Sequence, residues 1–286
     1  MSAAGHDPPP SATGPSATAD QLRARAAILQ AVRAWFVANG YLEVQPPTIV
    51  ASPAMEEHLE AVRVGDLGFL HTSPEFALKK VLATGLGRIY AMTPCFRLEE
   101  HGPHHSLEFT MLEWYRTGAG TTELMDEVED LVGAAADAVG RPRPRFHRRS
   151  VADLLSPELA PDDWFFRWVD VVEPTLTAPT IVHGYPPWQA ALARVRDGVA
   201  DRFEVYLGGL ELANAFAEEL RASELEARWE AVSAARRAAG RPPHPVDEAF
   251  LQAVDRMPRC AGIALGFDRL VMALTGTKHI RAVQVR

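Results

Sequence analysis

The sequence predicts an α+β fold, an antiparallel β-sheet flanked by helices. Two observations carry this expectation. Residues 89–97 and 108–116 alternate apolar and polar side chains around a polar loop, and RFEVYLGGLELANAF (residues 202–216) alternates around Gly208-Gly209, so both pairs read as hairpin-joined strands. Between and beyond them lie stretches whose apolar residues recur at helical spacing, with no internal repeat.

In chain order, Asp20 is the expected N-cap of a first helix. Leu22, Ala26, Leu29, Val32, Trp35 and Phe36 share its apolar stripe, and Gly40 stops the run. YLEVQPPTIV (41–50) follows as a short strand, and Pro46-Pro47 confine it to a sheet edge or a strand end because proline donates no ladder hydrogen bond. TSPEFALKKVLAT (72–84) reads as a helix with Ser73 as cap and Pro74 at its first position. After the strand pair, residues 121–139 form a second long helix, capped by Thr121 or Thr122 and closed by Gly140. Residues 141–180 are proline-rich and show no clear period. An Ala/Glu/Arg-rich helix is expected over 219–239, then a strand over 260–265, a helix from about 267 and a short terminal strand. Residues 1–19, rich in Pro, Ser, Ala and Thr, are expected to be a disordered lead-in to one domain over 20–286.

At 286 residues the chain can bury a full core, and 47% hydrophobic with 23% charged residues is ordinary for a globular protein. No apolar run approaches the roughly 20 residues that span a bilayer, and the N-terminus lacks a basic segment followed by an apolar one, so no membrane partner is expected. Cys95 and Cys260 lie far apart without metal or redox spacing, which fits a reducing cytoplasm. The net charge of −8 argues against gripping a long nucleic acid. The dense basic run RPRPRFHRR (Arg141 to Arg149) reads as a solvated connector, with an acidic docking partner as the alternative.

The chemistry concentrates in RLEEHGPHHSLEFTMLEWYR (Arg97 to Arg116). Strand alternation puts Phe109, Met111, Glu113 and Tyr115 on one face. Phe109 offers a surface for a base to stack on, and Glu113 lies roughly 13 Å along the same face, a spacing that suits a nucleotide at one end and a second substrate at the other. Arg97 supplies a planar fork for a phosphate, and His104 and His105 in the loop are placed to reach terminal phosphates. The competing readings are a core aromatic at 109, a structural ion pair at 113, and a zinc site for the three loop histidines, whose spacing is atypical for zinc.

In the second hairpin, a two-residue Gly-Gly turn pairs Leu207 with Leu210, so Tyr206 faces Glu211 and Glu204 faces Ala213. Glu204 and Glu211 then share a face, where they either hold a hard cation such as Mg²⁺ or form an ordinary solvent-facing acidic pair. In GIALGFDRL (262–270), Gly266 ends a strand and Arg269 falls in the first turn of a helix, an anion site unless Asp268 and Arg269 simply pair with each other.

These segments, in this order, resemble the catalytic domain of class II aminoacyl-tRNA synthetases of the lysyl branch. TSPEF, the 96–116 stretch, RFEVYLGGLELANAF and GIALGFDRLVMAL are closer still to the lysyl-tRNA synthetase-like ligases that modify elongation factor P. The resemblance spans about residues 20–286 and implies a class II synthetase-type sheet. It also implies a homodimer built through a motif ending at Pro47. It implies that Arg97 holds the ATP α-phosphate, Glu99 the adenine amino group and His105 the γ-phosphate, that Phe109 stacks on adenine, and that Arg269 clamps the far side. Arg97 and Arg269 would be the catalytic pair. Glu204 and Glu211 would hold Mg²⁺. Ser73, Glu75, Glu113, Tyr115, Ala213, Asn214 and Glu218 would form the amino-acid pocket, with Glu113 and Glu218 receiving the side-chain ammonium.

The implied reaction is activation of lysine or β-lysine as an aminoacyl-adenylate, followed by transfer to a lysine of elongation factor P. About 20 residues precede the catalytic segment, where lysyl-tRNA synthetases carry an anticodon-binding barrel, so tRNA is not the expected acceptor. Leu98, Ser106-Leu107, Ala215, Ala217 and Trp188 depart from the family pattern, and these changes are expected to cluster around the amino-acid pocket and the loop over ATP. Residues 141–200 are shortened relative to the family. The alternatives are a stand-alone ligase with another protein or metabolite as acceptor, and a non-catalytic paralogue.

Overall fold

The computed structural model describes residues 16–53, 55–98, 102–156 and 158–285. Helix α1 (Ala19–Ala38) opens the domain. Its N-cap is Thr18 rather than Asp20: the Thr18 hydroxyl accepts from Gln21 N and the Gln21 side chain accepts from Thr18 N, a reciprocal cap that a carboxylate in the first turn does not provide. Ile28, Val32, Trp35 and Phe36 form its buried stripe, while Ala26 is exposed.

The expected strand at 41–50 is instead two short strands, β1 (Leu42–Glu43) and β2 (Ile49–Val50), interrupted at Pro46-Pro47. β2 pairs with β3 (Phe69–Leu70) away from the main sheet, and β1 lies at the edge of that sheet, parallel to β4 (Arg88–Phe96). Between them, α2 (Glu75–Leu82) starts one residue later than expected, with Pro74 at the cap position and the Ser73 hydroxyl accepting from Glu75 N. β5 (Glu108–Thr117) pairs antiparallel with β4 as the alternation requires. α3 (Thr121–Asp137) is capped by Gly120, whose N–H is taken by the Glu123 carboxylate. Thr121 turns instead to Asp201, 2.8 Å away.

The aperiodic region holds β6 (His147–Ser150), α4 (Pro161–Arg167) running into a π-turn at Trp168–Val172, and β7 (Thr180–Tyr185). Stacked Trp164 and Trp168 close a small satellite core there, with ring centroids 4.9 Å apart. The basic run is a connector that clips to α3: Arg148 pairs with Asp126 and Glu129, and Arg143 with Asp130 and Asp137.

β8 (Val195–Arg196) is a short branch on β9 (Val199–Leu207), which turns through Gly208-Gly209 into β10 (Leu210–Ala217). Both glycines have positive φ, 64° and 78°, as a tight two-residue turn requires. Helices α5 (Ala222–Ala238) and α6 (Glu248–Val254), β11 (Cys260–Gly266) and α7 (Phe267–Thr275) complete the chain. The expected terminal strand is a 3₁₀ turn at Ile280–Val283.

Among the described residues the main sheet has the order β1-β4-β5-β11-β10-β9-β7-β6, antiparallel except at its two outer pairings, β1·β4 and β6·β7. One face is packed by α1, α3 and α7 over Tyr90, Leu112, Trp114, Phe203, Val205 and Ile263. The opposite face is covered at one end by α2, α5 and α6 over Ile89, Ala91, Tyr115 and Cys260, and at the other by the stacked-tryptophan core. The surface between these two covers stays open, and there the site forms.

One detail of β10 departs from simple alternation. Glu211 pairs with Tyr206 as expected, but Ala213 pairs with Val205 and Asn214 with Glu204, which makes Leu212 the extra residue of a β-bulge. Glu204 therefore faces Asn214, not Ala213. Before the bulge the odd-numbered Glu211 faces the open surface; after it, Asn214, Phe216 and Glu218 do, while Ala215 and Ala217 turn into the protein and Ala213, packed in the opposite core, still borders the cleft.

Candidate active site

The open surface is a cleft lined along β5 by Phe109, Met111, Glu113 and Tyr115, along β10 by Glu211, Asn214 and Phe216, and beyond them by Ser73, Glu75, Arg97, Glu218 and Arg269. Residues from both halves of the chain thus meet on one sheet face. Leu112 and Trp114, between the cleft residues of β5, point into the opposite core.

At one end three carboxylates converge. Glu113 is 1% exposed and accepts hydrogen bonds from the Ser73 hydroxyl and the Tyr115 phenol, each at 2.7 Å. Tyr115 is fixed by close packing: a Cβ at Gly262, on the neighbouring strand, would lie 2.1 Å from its ring. Glu218, 3% exposed, lies 2.6 Å from the Lys79 ammonium, which also contacts Glu75 at 2.7 Å. Glu218 Oε1 is buried with no hydrogen-bond partner. Burial pushes the Glu113 carboxyl above its ordinary range and the field of Glu75 adds to this, while Ser73, Tyr115 and Lys79 oppose it. Burial likewise raises Glu218, with Lys79 pulling it back. Two buried carboxyls that hold their protons this tightly, one with an unfilled oxygen, favour a cationic guest. Ala213 and Asn214 line the same end, and the Asn214 side-chain oxygen accepts from Arg202 Nε at 3.1 Å.

At the other end stand the groups suited to a nucleotide. The Arg97 guanidinium lies over the Phe109 ring, 5.2 Å from its centroid. Arg269 reaches back from the first turn of α7: Nη1 donates to the Glu211 carbonyl at 2.8 Å and Nη2 lies 2.8 Å from His105 Nε2, which must be unprotonated to accept. Asp268 does not pair with Arg269. It is buried, bonded to Arg25 of α1, and accepts from Thr110 N at 2.7 Å, so it anchors the start of α7 to α1 and β5. Arg269 is left to face the cleft. Glu99 lies outside the described residues, and so does His101 of the histidine cluster.

Glu204 and Glu211 share the cleft face, but their surroundings differ. Glu211 lines the cleft, and burial followed by the nearby Glu204 charge raises its carboxyl, with Arg269 and Arg202 opposing. Glu204 sits deeper. The phenols of Tyr185 and Tyr206 each donate to its Oε2 at 2.6 Å, and Arg202 pairs with Oε1. The sequence reasoning missed Arg202 and Lys79. Both had a local signal: Arg202 is two residues from Glu204 on the same strand face, and Lys79 follows Glu75 at i+4 on a helix.

The atypical positions do not all gather at the cleft. Ser106 is buried in its wall, and Leu98 and Leu107 are exposed on the loop. Ala215 and Ala217 are buried on the far side of β10, and Trp188 packs edge-on against Trp164 in the satellite core. These last three are adjustments of packing, outside the cleft wall.

Comparison with known proteins identifies the family of the chain. Residues 15–285 match the family model of tRNA synthetases class II (D, K and N). The elongation factor P–(R)-β-lysine ligase of Vibrio vulnificus (strain YJ016) is 36% identical, over 93% of this chain and 95% of its own. The proteins of the same name from Vibrio cholerae (serotype O1) and Proteus mirabilis (strain HI4320) are 34% and 35% identical, each over 94% of this chain and 95% of their own. With the antiparallel sheet, the cleft on its open face and the arginine-bearing α7 in place, this chain belongs to the class II tRNA synthetase family of the D, K and N type.

Proposed function

We propose that this protein activates a lysine-type amino acid, (R)-β-lysine in the name of its relatives, with ATP and transfers it to a lysine side chain of elongation factor P. The observation that carries the reading is the buried carboxylate cluster of Glu113, Glu218 and Glu75 at the end of the cleft opposite Phe109 and Arg269. Lys79 offsets only part of the cluster's negative charge, so an amino acid with a neutral side chain would leave the remainder buried and uncompensated, at a cost of several kcal/mol.

In this reading the substrate's carboxylate oxygen attacks the α-phosphorus of ATP. The bond to pyrophosphate breaks and an acyl-adenylate forms. The attacking group is already ionised, so the chain need supply no general base. Its work is to position and to stabilise charge. Arg97 and Arg269 take the phosphates, His105 the terminal one, and Phe109 the adenine, for which Arg97 must leave the ring it now covers. In the second step the acceptor's uncharged amine attacks the acyl carbonyl, an amide forms, AMP departs, and the amine proton is lost to solvent.

A magnesium ion would be held at Glu211, a half-buried carboxylate facing the cleft, where the neighbouring Glu204 charge makes a cation favourable. Glu204, engaged by Arg202 and two phenols, adds its field from behind. When bound, the ion would neutralise phosphate charge.

The apolar groove beside Pro46, Pro47, Ile49 and Val50 supports a homodimer through this edge, which sedimentation at micromolar concentration tests. Among the described residues no helix is long and apolar enough to cross a membrane. Cys95 and Cys260 are buried and unpaired, which supports a cytoplasmic setting.

The deciding experiment incubates the protein with elongation factor P, ATP and either (R)-β-lysine or α-lysine. The expected result is a gain of one lysine residue in the intact mass of elongation factor P. Amino-acid-dependent ATP–pyrophosphate exchange with no mass gain rejects the acceptor. No exchange with either amino acid rejects the reading as a whole.

A further inference from the structure

The carboxylates at the amino-acid end come from three elements: Glu75 from α2, Glu113 from β5 and Glu218 just after β10. Lys79 is built into this cluster. Its ammonium lies 2.7 Å from Glu75 and 2.6 Å from Glu218, and its side chain is 2% exposed. The rings of Tyr115 on β5 and Phe250 on α6 flank it, each 5.9 Å from the ammonium. The remaining titratable neighbours are Glu113 and the Cys260 thiol of β11, both within reach of its field. Burial alone would drive the proton off this lysine, but Glu218 and then Glu75 more than reverse that, so it stays charged.

With all three carboxylates ionised, the state that can receive an ammonium, they and this one positive charge put the cluster at −2. That balance matches a particular chemical state of the guest. A free lysine or β-lysine carries two ammonium groups and a carboxylate. Once the carboxylate is joined to AMP, the acyl group carries the two ammonium charges alone.

We propose that Lys79 is a positioning residue for amino-acid activation, a resident counter-ion that holds Glu75 and Glu218 apart and fixes the pocket charge at the value complementary to a diammonium acyl group. The proposal rests on the amino-acid reading above. Without Lys79 the cluster would hold three mutually repelling carboxylates. The pocket would then take up a further proton at neutral pH, and an incoming ammonium would have to displace it.

The test compares wild type, Lys79→Met and the double variant Lys79→Met/Glu75→Gln, which again leaves two carboxylates. Two things are measured: the pH dependence of amino-acid kcat/KM in ATP–pyrophosphate exchange, and the pH dependence of thermal unfolding without ligand. In Lys79→Met the acid limb of kcat/KM should move up by about one pH unit or more, with KM for the amino acid at pH 7 raised about tenfold or more. KM for ATP should stay within about twofold, because charge is altered at the amino-acid end alone. The double variant should return the acid limb to the wild-type position even if KM stays high.

A merely structural lysine predicts lower stability with an unmoved limb, and that result overturns the proposal. If Lys79→Met fails to fold at pH 8, the charge argument requires the double variant to fold there, and its failure overturns the proposal too. Wild type inactive with lysine and β-lysine sinks the amino-acid reading instead. The unfolding series still judges the charge balance in that case: the loss of stability from pH 6 to 8 must be steeper in Lys79→Met than in wild type and be restored in the double variant.

Discussion

Replacing Glu113 by Gln should stabilise the ligand-free protein at alkaline pH while abolishing its use of a lysine-type substrate. Burial and the Glu75 field lift the Glu113 carboxyl from an ordinary value of 4.5 to about 8. Below pH 4.5 the folded and unfolded chains both hold this proton, and the group makes no difference to stability. Between 4.5 and 8 the unfolded chain releases it while the folded chain keeps it, so the contribution of Glu113 to stability falls as pH rises. At about 1.4 kcal/mol per tenfold change in proton affinity, the full penalty by pH 8 is on the order of 4 kcal/mol. Glutamine keeps an oxygen for one of the two donors, and the other hydroxyl can turn to accept from the new amide N–H, while no charge is left to desolvate. Thermal unfolding without ligand should therefore show a melting-temperature advantage for Glu113→Gln that is small at pH 5 and grows to several degrees by pH 8. A saturating lysine-type amino acid should raise the wild-type melting temperature at pH 8 and leave the variant unmoved. A difference between the two proteins that stays flat from pH 5 to 8, or that favours wild type increasingly, would refute the reasoning.

Amino-acid binding should release protons near neutrality, since Glu218 and Glu113 titrate near 7 and 8 and bind an ammonium only when ionised. Calorimetry in buffers of different ionisation enthalpy should show net proton release at pH 6.5 that vanishes above about 9, and proton uptake would contradict the assignment. Gly262→Ala should force the Tyr115 ring off Glu113, costing about 1–3 kcal/mol of stability and raising amino-acid KM more than ATP KM; equal effects on both would place Tyr115 elsewhere in the reaction. Arg269→Ala should lower the rate of pyrophosphate exchange by about two to three orders of magnitude with little change in melting temperature, because its partners are a carbonyl and a histidine at the cleft surface. Asp268→Ala should do the reverse of this in stability, costing about 3–5 kcal/mol by stranding Arg25.

Most of the frame was legible in the residues because the signals are local. Strand alternation at 108–116 separates cleft from core without any tertiary information, and the Gly-Gly turn specifies the β9–β10 hairpin. What escaped depends on distant partners. β6 and β7 have no period of their own because they are finished by parallel pairing and by the stacked Trp164 of α4 and Trp168 of the π-turn. Asp268 looks like a partner for Arg269 in sequence, and only the approach of α1, 243 residues away, gives it to Arg25. The caps failed for a smaller reason: Thr18 and Gly120 win their positions through the side chains three residues on, Gln21 and Glu123.

The bulge at Leu212 gives β10 one residue more than its ladder needs. Substituting Leu212 would change one packed side chain. Deleting it would join Glu211 directly to Ala213 and leave a plain ladder, with Glu211, Asn214 and Phe216 still on the cleft face and Ala213 and Ala215 still turned away. Drawing Leu212 into the ladder instead would turn every later residue over, sending Asn214 and Phe216 into the core and Ala215 into the cleft. The face that β10 presents thus depends on where its spare residue is held out, not on how many residues the hairpin contains.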